Sequence, residues 1–380
     1  MERVRNAFIG LLRAGLWERD PVEEGFPRLT DGQWKEVFGL SGRQTVTGIV
    51  FDGICRLPDD LQPSPNIFAR WVAAVDRVER NNMRMDVVLK DLIKVFVDNG
   101  LCPVLQKGQG VAAMYPEPLH RECGDIDLYF PEGMSLRQVQ RPEKTAQRPE
   151  KTENDKAVEL VKSHGVKVKN MPDRSQNYEW QGIEIEQHPT IVDLCSPSAG
   201  KWIKELDEEP GFIPSPLADG LRVPSPELNA LLLNTHILKH ALGKGIGLRQ
   251  MCDLAMVYHR ISGEARRGEL GERIFSLYRR AGILKWSRLL HSFLVDIIGL
   301  PAEELPYSEK IVPIEPLLRI VEEGGNFGQH RSGVVTESVL KRKLNTAWMF
   351  VRRAGFSLRF APREAFWTFV ELAKGQFKIQ

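Results

Sequence analysis

Gly124-Asp125-Ile126-Asp127-Leu128-Tyr129-Phe130 sets two carboxylates one residue apart inside an apolar run that begins at a glycine. An extended chain points alternate side chains to opposite faces, so Asp125 and Asp127 project the same way while Ile126, Leu128 and Phe130 are offset from them or face a core. Two anions this close repel. A fold that keeps them at the start of a strand needs compensation, most commonly a divalent cation that takes oxygen ligands from both. The same Asp-x-Asp spacing also occurs in turns and on solvated strand faces, so its surroundings decide the reading.

Upstream, Leu101-Cys102-Pro103-Val104-Leu105 reads as a short strand, followed by the turn Gln106-Lys107-Gly108-Gln109-Gly110 and a small-residue helix from Val111 to Tyr115. Pro116 and Pro118 then break the chain before the Asp-x-Asp strand. Strand, glycine turn, helix and strand form an α/β signature. Downstream, residues 140–153 carry a tandem heptad, Gln-Arg-Pro-Glu-Lys-Thr-Ala then Gln-Arg-Pro-Glu-Lys-Thr-Glu, with no large apolar anchor, which predicts a flexible surface insertion over about 138–153. The pattern predicts a helix from Asp155 to His164, a strand at Val166 to Val168, and one or two strands between Tyr178 and Leu194.

On either side the periodicity is helical. Trp34 to Leu40, Val46 to Leu57 and the long stretch Ile67 to Val97 precede the α/β segment, and Asn99-Gly100 ends the last of them. Leu228 to His240, Leu248 to His259, Leu270 to Ala281, Trp286 to Ile298 and Val339 to Phe350 follow it. The expected fold class is α+β: a small mixed sheet with its helices, flanked by N- and C-terminal helical regions. The expected organisation is a helical region over 1–95, an α/β domain over 96–200 and a helical region over 201–380.

The hydrophobic fraction of 42% against 27% charged residues is that of a soluble chain with a real core, and the net charge of +2 favours neither a nucleic-acid coat nor an acidic protein. Cys55, Cys102, Cys123, Cys195 and Cys252 are odd in number, scattered and without Cys-x-x-Cys spacing, which fits a reducing cytosol and argues against a zinc ribbon or disulfide framework. A cytoplasmic location is the expectation. The first residues, Met1 to Gly15, read as an amphipathic helix, since Arg13, Glu18, Arg19 and Asp20 interrupt the apolar group too early for a signal peptide. No stretch is apolar enough for long enough to span a bilayer. Walker-type glycine loops, Gly-x-Ser-x-Gly elbows and the kinase His-Arg-Asp set do not occur.

Lys107-Gly108 after a strand, Asp125-x-Asp127 on the next and Glu184-Ile185-Glu186-Gln187-His188 on a later one resemble the nucleotidyltransferase superfamily of the DNA polymerase β type. More closely, Lys107-Gly108, Tyr115-Pro116, Pro118, Arg121 and Gly124 to Leu128 resemble the bacterial uncharacterised nucleotidyltransferase family. Glu186-Gln187-His188 matches that family's acid-x-His element. Gly245, Gly247, Leu248, Arg249, Gln250 and Asp253 match its Gly-x-Gly-Leu-Arg-Gln-x-x-Asp pattern. The matches run from about Val104 to Val257.

The resemblance implies transfer of a nucleotidyl group from an NTP, the substrate, to a hydroxyl-bearing acceptor, with Mg²⁺ or Mn²⁺ as cofactor. Negative charge grows on the α-phosphate and the leaving oxygens, and two cations held by carboxylates neutralise it. Asp125, Asp127 and Glu186 are the expected metal ligands, with Glu186 also available as base for the acceptor. Glu184 shares the strand face and stays open as the third acid; His188 beside Glu186 tips the choice. Gly108 is expected to bring its amide to the β- and γ-phosphates, and Lys107 to add a point charge. In the wider superfamily this turn is usually Gly-Ser or Gly-Gly and lies nearer the Asp-x-Asp. Gly124 completes the nucleotide-binding set with Arg121, whose guanidinium contacts the triphosphate or pairs with a neighbouring carboxylate.

His236 and His240 share a helix face at a spacing able to bind zinc, but no Glu follows His236 and no cysteine completes a set, so packing or a substrate-facing role is expected. Arg249 and Asp253 are expected to form a salt bridge along one helix. The tail from Thr336 to Gln380 interleaves aromatics with nine basic side chains against three acidic ones, which predicts either inward-packed aromatics with wet basic groups or a surface for nucleic acid. Two rival functions follow: a non-catalytic nucleotide- or partner-binding member of the fold, and a nucleic-acid-binding protein using the basic C-terminal helices. The acceptor, whether small molecule, protein or RNA, is not written in the sequence.

Overall fold

The computed structural model describes residues 2–377 apart from 23–24, 135–150, 172, 198, 207–210, 244 and 325–352. The helix expected over Val339 to Phe350 and most of the heptad repeat lie outside the described residues.

The N-terminal helices are α1 (Glu2–Trp17), α2 (Asp31–Gln44), α3 (Thr47–Cys55) and the long α4 (Pro65–Asp98). Local chemistry sets their ends. Thr30 caps α2 in a reciprocal box with Gln33, and Pro65 opens α4 where a missing N–H costs nothing. Along α4 the buried residues recur at helical spacing, Ile67, Trp71 and Val75 near its start and Met85, Leu89, Leu92, Ile93 and Phe96 near its end. Ile67 and Trp71 contribute to a large helical core, the second group to a core beneath the sheet, where Phe96 meets Phe130 edge-on at 4.8 Å. One helix thus ties the two cores together.

The α/β part contains β1 (Val104–Leu105), a short α5 (Gln109–Ala112), β2 (Ile126–Tyr129), α6 (Glu153–Ser163), β3 (Lys169–Asn170), β4 (Gln176–Trp180), β5 (Ile183–His188), α7 (Ala199–Glu205), β6 (Phe212–Pro214) and β7 (Arg222–Pro224). They make one mixed seven-stranded sheet in the order β3-β4-β5-β2-β1-β7-β6. At its centre β2 runs parallel to β5 and antiparallel to β1. The expectation of a mixed sheet between helical flanks holds, with two differences. The strand expected at Val166 to Val168 forms at Lys169–Asn170 instead, because both valines pack onto the core beneath the sheet rather than pairing. The last two strands lie beyond residue 200, where only helices were expected.

The C-terminal helices α8 (Pro226–Leu242), α9 (Leu248–Ser262), α10 (Arg267–Ala281) and α11 (Leu284–Phe293) follow, the last running into a π-helical turn, Leu294–Ile298. Further helices span Glu315–Gly324, Ala354–Phe360 and Pro362–Phe377. In the described part of the tail Phe360 is buried and Phe356 packs on the core, while Phe366 and Phe369 are exposed. Among the described residues no helix is long and apolar enough to cross a membrane.

Candidate active site

β2 pairs with β5 in a register that sets Asp127 beside Glu186 and Tyr129 beside His188. Side chains alternate along each strand, so Asp127, Glu186 and His188 emerge on one face. One ligand atom from each lies within 4.8 Å of the others, the group of His, Cys, Asp and Glu side chains among the described residues that could gather around an ion. His188 Nε2 donates to Asp127 Oδ1 at 2.7 Å and stands 4.0 Å from Glu186 Oε2. Asp125 precedes the strand and stands outside this group. Glu184 falls before the paired part of β2; it is exposed and accepts from Asn177 on β4.

Lys107 follows β1, whose antiparallel pairing with β2 carries the Gln106 N–H to the Asp127 carbonyl. From there the Lys107 ammonium reaches Asp127 Oδ1 at 2.9 Å, with Asp127 buried and Lys107 largely so. Burial works against the Asp127 carboxylate, but Lys107 and His188 outweigh it and hold its pKa below the ordinary range. Burial likewise opposes the Lys107 ammonium, and Asp127, Asp193 and Asp125 overcome it. The Asp127 charge and then burial push the Asp125 carboxyl up to about 6. The pair is therefore asymmetric: Asp127 is fully compensated and Asp125 only in part.

Gly108 adopts φ 60° and ψ −122°, a conformation that L side chains rarely accept, and it is buried, with the Asp125 carbonyl 3.6 Å from where a Cβ would stand. Gly124 is exposed, with open space where a side chain would stand.

The loop from Leu119 to Gly124 is gripped from three sides. From α4, Asn82 donates to the carbonyls of Leu119 and Arg121 at 2.7 and 2.9 Å and accepts from the Cys123 N–H. From α3, the Thr47 N–H bonds to Glu122, while His120 bridges Asp52 on α3 and Glu79 on α4 at 2.6 and 2.8 Å. From α9, Asp253 takes Nε and Nη2 of Arg121 at 3.0 and 2.6 Å and the Tyr115 hydroxyl at 2.7 Å, all buried. Arg121 is thus committed to a carboxylate, and the helix salt bridge expected between Arg249 and Asp253 does not form. Asp253 instead joins α9 to the α/β part, and Arg249 donates to the Glu122 carbonyl at 2.7 Å.

α8 closes the other flank. His236 and His240 meet edge-on with ring centroids 4.5 Å apart, and Lys239 pairs with Asp193 at 3.2 Å and Asp173 at 3.7 Å. Burial and the Lys107 charge lower the His236 pKa to about 4, against the pull of Asp193. Burial and the His236 charge lower the His240 pKa as well, so both rings are neutral. Asp193, Lys239 and Asn82 escaped sequence reasoning; the one signal available was Asp193, a lone acid in the apolar run Ile191-Val192-Asp193-Leu194.

The donor set fits a hard divalent cation: carboxylates on adjacent strands, a second acid beside them, and a raised Asp125 carboxyl whose ionisation a cation would favour. A family model described as Uncharacterised nucleotidyltransferase matches residues 30–294. No curated protein and no solved structure matches the chain. The match runs from the capped start of α2 through the carboxylate strands to the end of α11, more than half of the sequence, and the chain belongs to the uncharacterised nucleotidyltransferase family.

Proposed function

We propose that this protein transfers a nucleotidyl group from an NTP to a hydroxyl-bearing acceptor, using divalent cations held by Asp127 and Glu186 with Asp125 beside them. The observation that carries the reading is the convergence of Asp127, Glu186 and His188 on one face of the paired strands β2 and β5, next to the glycine turn. A cation so held supplies charge neutralisation on the transferring phosphoryl group and its leaving oxygens. The chain's own groups do the rest. His188 and Lys107 keep Asp127 ionised. The Gly108 turn brings its amide to the β- and γ-phosphates, and Glu186, the more open acid, takes the proton of the acceptor hydroxyl. His236, Lys239 and Asp193 offer polar groups along the α8 flank to the acceptor.

The test is calorimetric titration of Mg²⁺, and separately Mn²⁺, with a non-hydrolysable NTP analogue into wild type and the Asp125→Asn, Asp127→Asn double variant, for each of the four bases. Metal-dependent binding that vanishes in the variant is expected and identifies the preferred base. Binding by wild type followed by no transfer to small-molecule, protein or RNA hydroxyls would favour a non-catalytic binding protein. No binding by wild type would sink the assignment.

A further inference from the structure

Arg249 lies in the first turn of α9, and its side chain is buried. Its Nη1 donates to the Glu122 carbonyl, its Nε has no acceptor, and among the described residues no carboxylate stands within ion-pairing distance of it. The nearest candidate on its own helix is Asp253, but both oxygens of that carboxylate are held by Arg121. Two buried guanidinium groups therefore share the neighbourhood of one carboxylate. Burial and then the Arg121 charge disfavour the Arg249 cation. A buried arginine serving only as a strut would be matched by its own acceptors, because an uncompensated buried charge is expensive.

What Arg249 faces explains its retention. Asp125 lies close enough for the two charges to act on each other. The same corner holds Gly108 at positive φ, where a Cβ would stand 3.6 Å from the Asp125 carbonyl, and α5, which follows that turn, packs against α9. The α8 flank differs: His236 answers to Lys107, Asp193 and Asp127. An excess cation, the glycine turn and the partly compensated carboxylate thus meet on the α9 side.

We propose that Arg249 binds the phosphate tail of the incoming nucleoside triphosphate, so that the corner between Gly108, Asp125 and α9 is the triphosphate seat. This rests on the nucleotidyltransferase reading. Arg249 supplies the planar donors that a phosphate takes two at a time, and the buried setting strengthens each bond. Arg121, spent on Asp253, positions the loop beneath it.

Two probes test this by calorimetry on the full chain: inorganic tripolyphosphate with Mg²⁺, and the non-hydrolysable NTP analogue with Mg²⁺. Arg249→Gln is expected to bind both about tenfold to a hundredfold more weakly, the loss of one charge-assisted contact, with Arg249→Lys in between. The melting temperature without ligand should hold or rise, since an excess buried charge is gone. Unchanged affinity for both probes with a lowered melting temperature overturns the proposal, makes Arg249 a strut for the Glu122 carbonyl and leaves the transferase reading standing. Should Arg249→Gln fail to fold, wild-type affinity in Arg249→Lys overturns it equally. Arg249-dependent binding of tripolyphosphate without nucleotide binding supports the seat and sinks the transferase reading. Binding of neither probe by wild type sinks both.

Discussion

Asp125 and Asp127 respond to the fold in opposite senses, and the difference is measurable without any ligand. Asp127 is held ionised by Lys107 and His188, so Asp127→Asn strands a buried ammonium and should cost about 3 kcal/mol. Asp125 has its carboxyl raised from 3.8 to about 6, first by the Asp127 charge. A carboxyl raised in the fold lowers stability wherever it is ionised: the penalty is absent below pH 3.8, grows up to pH 6 and is complete above it. Asp125→Asn should therefore stabilise the metal-free protein by about 2 kcal/mol at pH 7.5 and by almost nothing at pH 3.8, read by urea denaturation with chelator present. Equal effects of the two variants at pH 7.5 would contradict this asymmetry. The two acids were legible in the sequence because their spacing is local. The asymmetry was not, because it depends on β1 pairing with β2 in a register that brings a flexible lysine from another segment onto one of them.

The same distinction separates what could and could not be read of the elements. Glycine and proline punctuation marked the helices and the central strands, and the capping boxes at Thr30 and Thr152 explain why α2 and α6 begin where they do. The strands β6 and β7 were silent, since three residues bounded by proline carry no alternation to detect. Pairing also separates the two acids that strand parity left alike. Glu184 and Glu186 share a face, but only Glu186 lies beside β2; Glu184 extends beyond its start and is engaged by β4. Glu186→Gln is accordingly expected to lower transfer at least a hundredfold, the scale of losing a ligand or base at the reacting group, while Glu184→Gln stays within about twofold of wild type. Single-turnover rates with saturating metal decide it, and comparable losses in both variants would reject Glu186 as the third acid.

Across the molecule, helices from both ends of the sequence grip the loop that delivers Asp125. The large core likewise draws on N-terminal, α/β and C-terminal segments together. No sequence pattern announces such a convergence, because Asn82, His120 and Asp253 are each unremarkable in their own stretch. His120 makes the grip sensitive to pH. Burial opposes its charge, but Asp52 and Glu79 on its two nitrogens more than reverse this and raise its pKa from 6.5 to about 9. A cation favoured by folding adds stability that is fully present below pH 6.5 and is lost as the pH rises through 9. Wild type should lose about 2 kcal/mol across that window, beyond whatever slope His120→Gln retains, with both followed by urea denaturation. The carboxylates left facing a neutral ring would also loosen the Leu119 to Gly124 loop, so hydrogen exchange of the Cys123 and Gly124 amides should accelerate over the same range beyond its intrinsic pH dependence. If His120→Gln shows the wild-type slope and the same exchange rates, the bridge between α3 and α4 does not govern the loop.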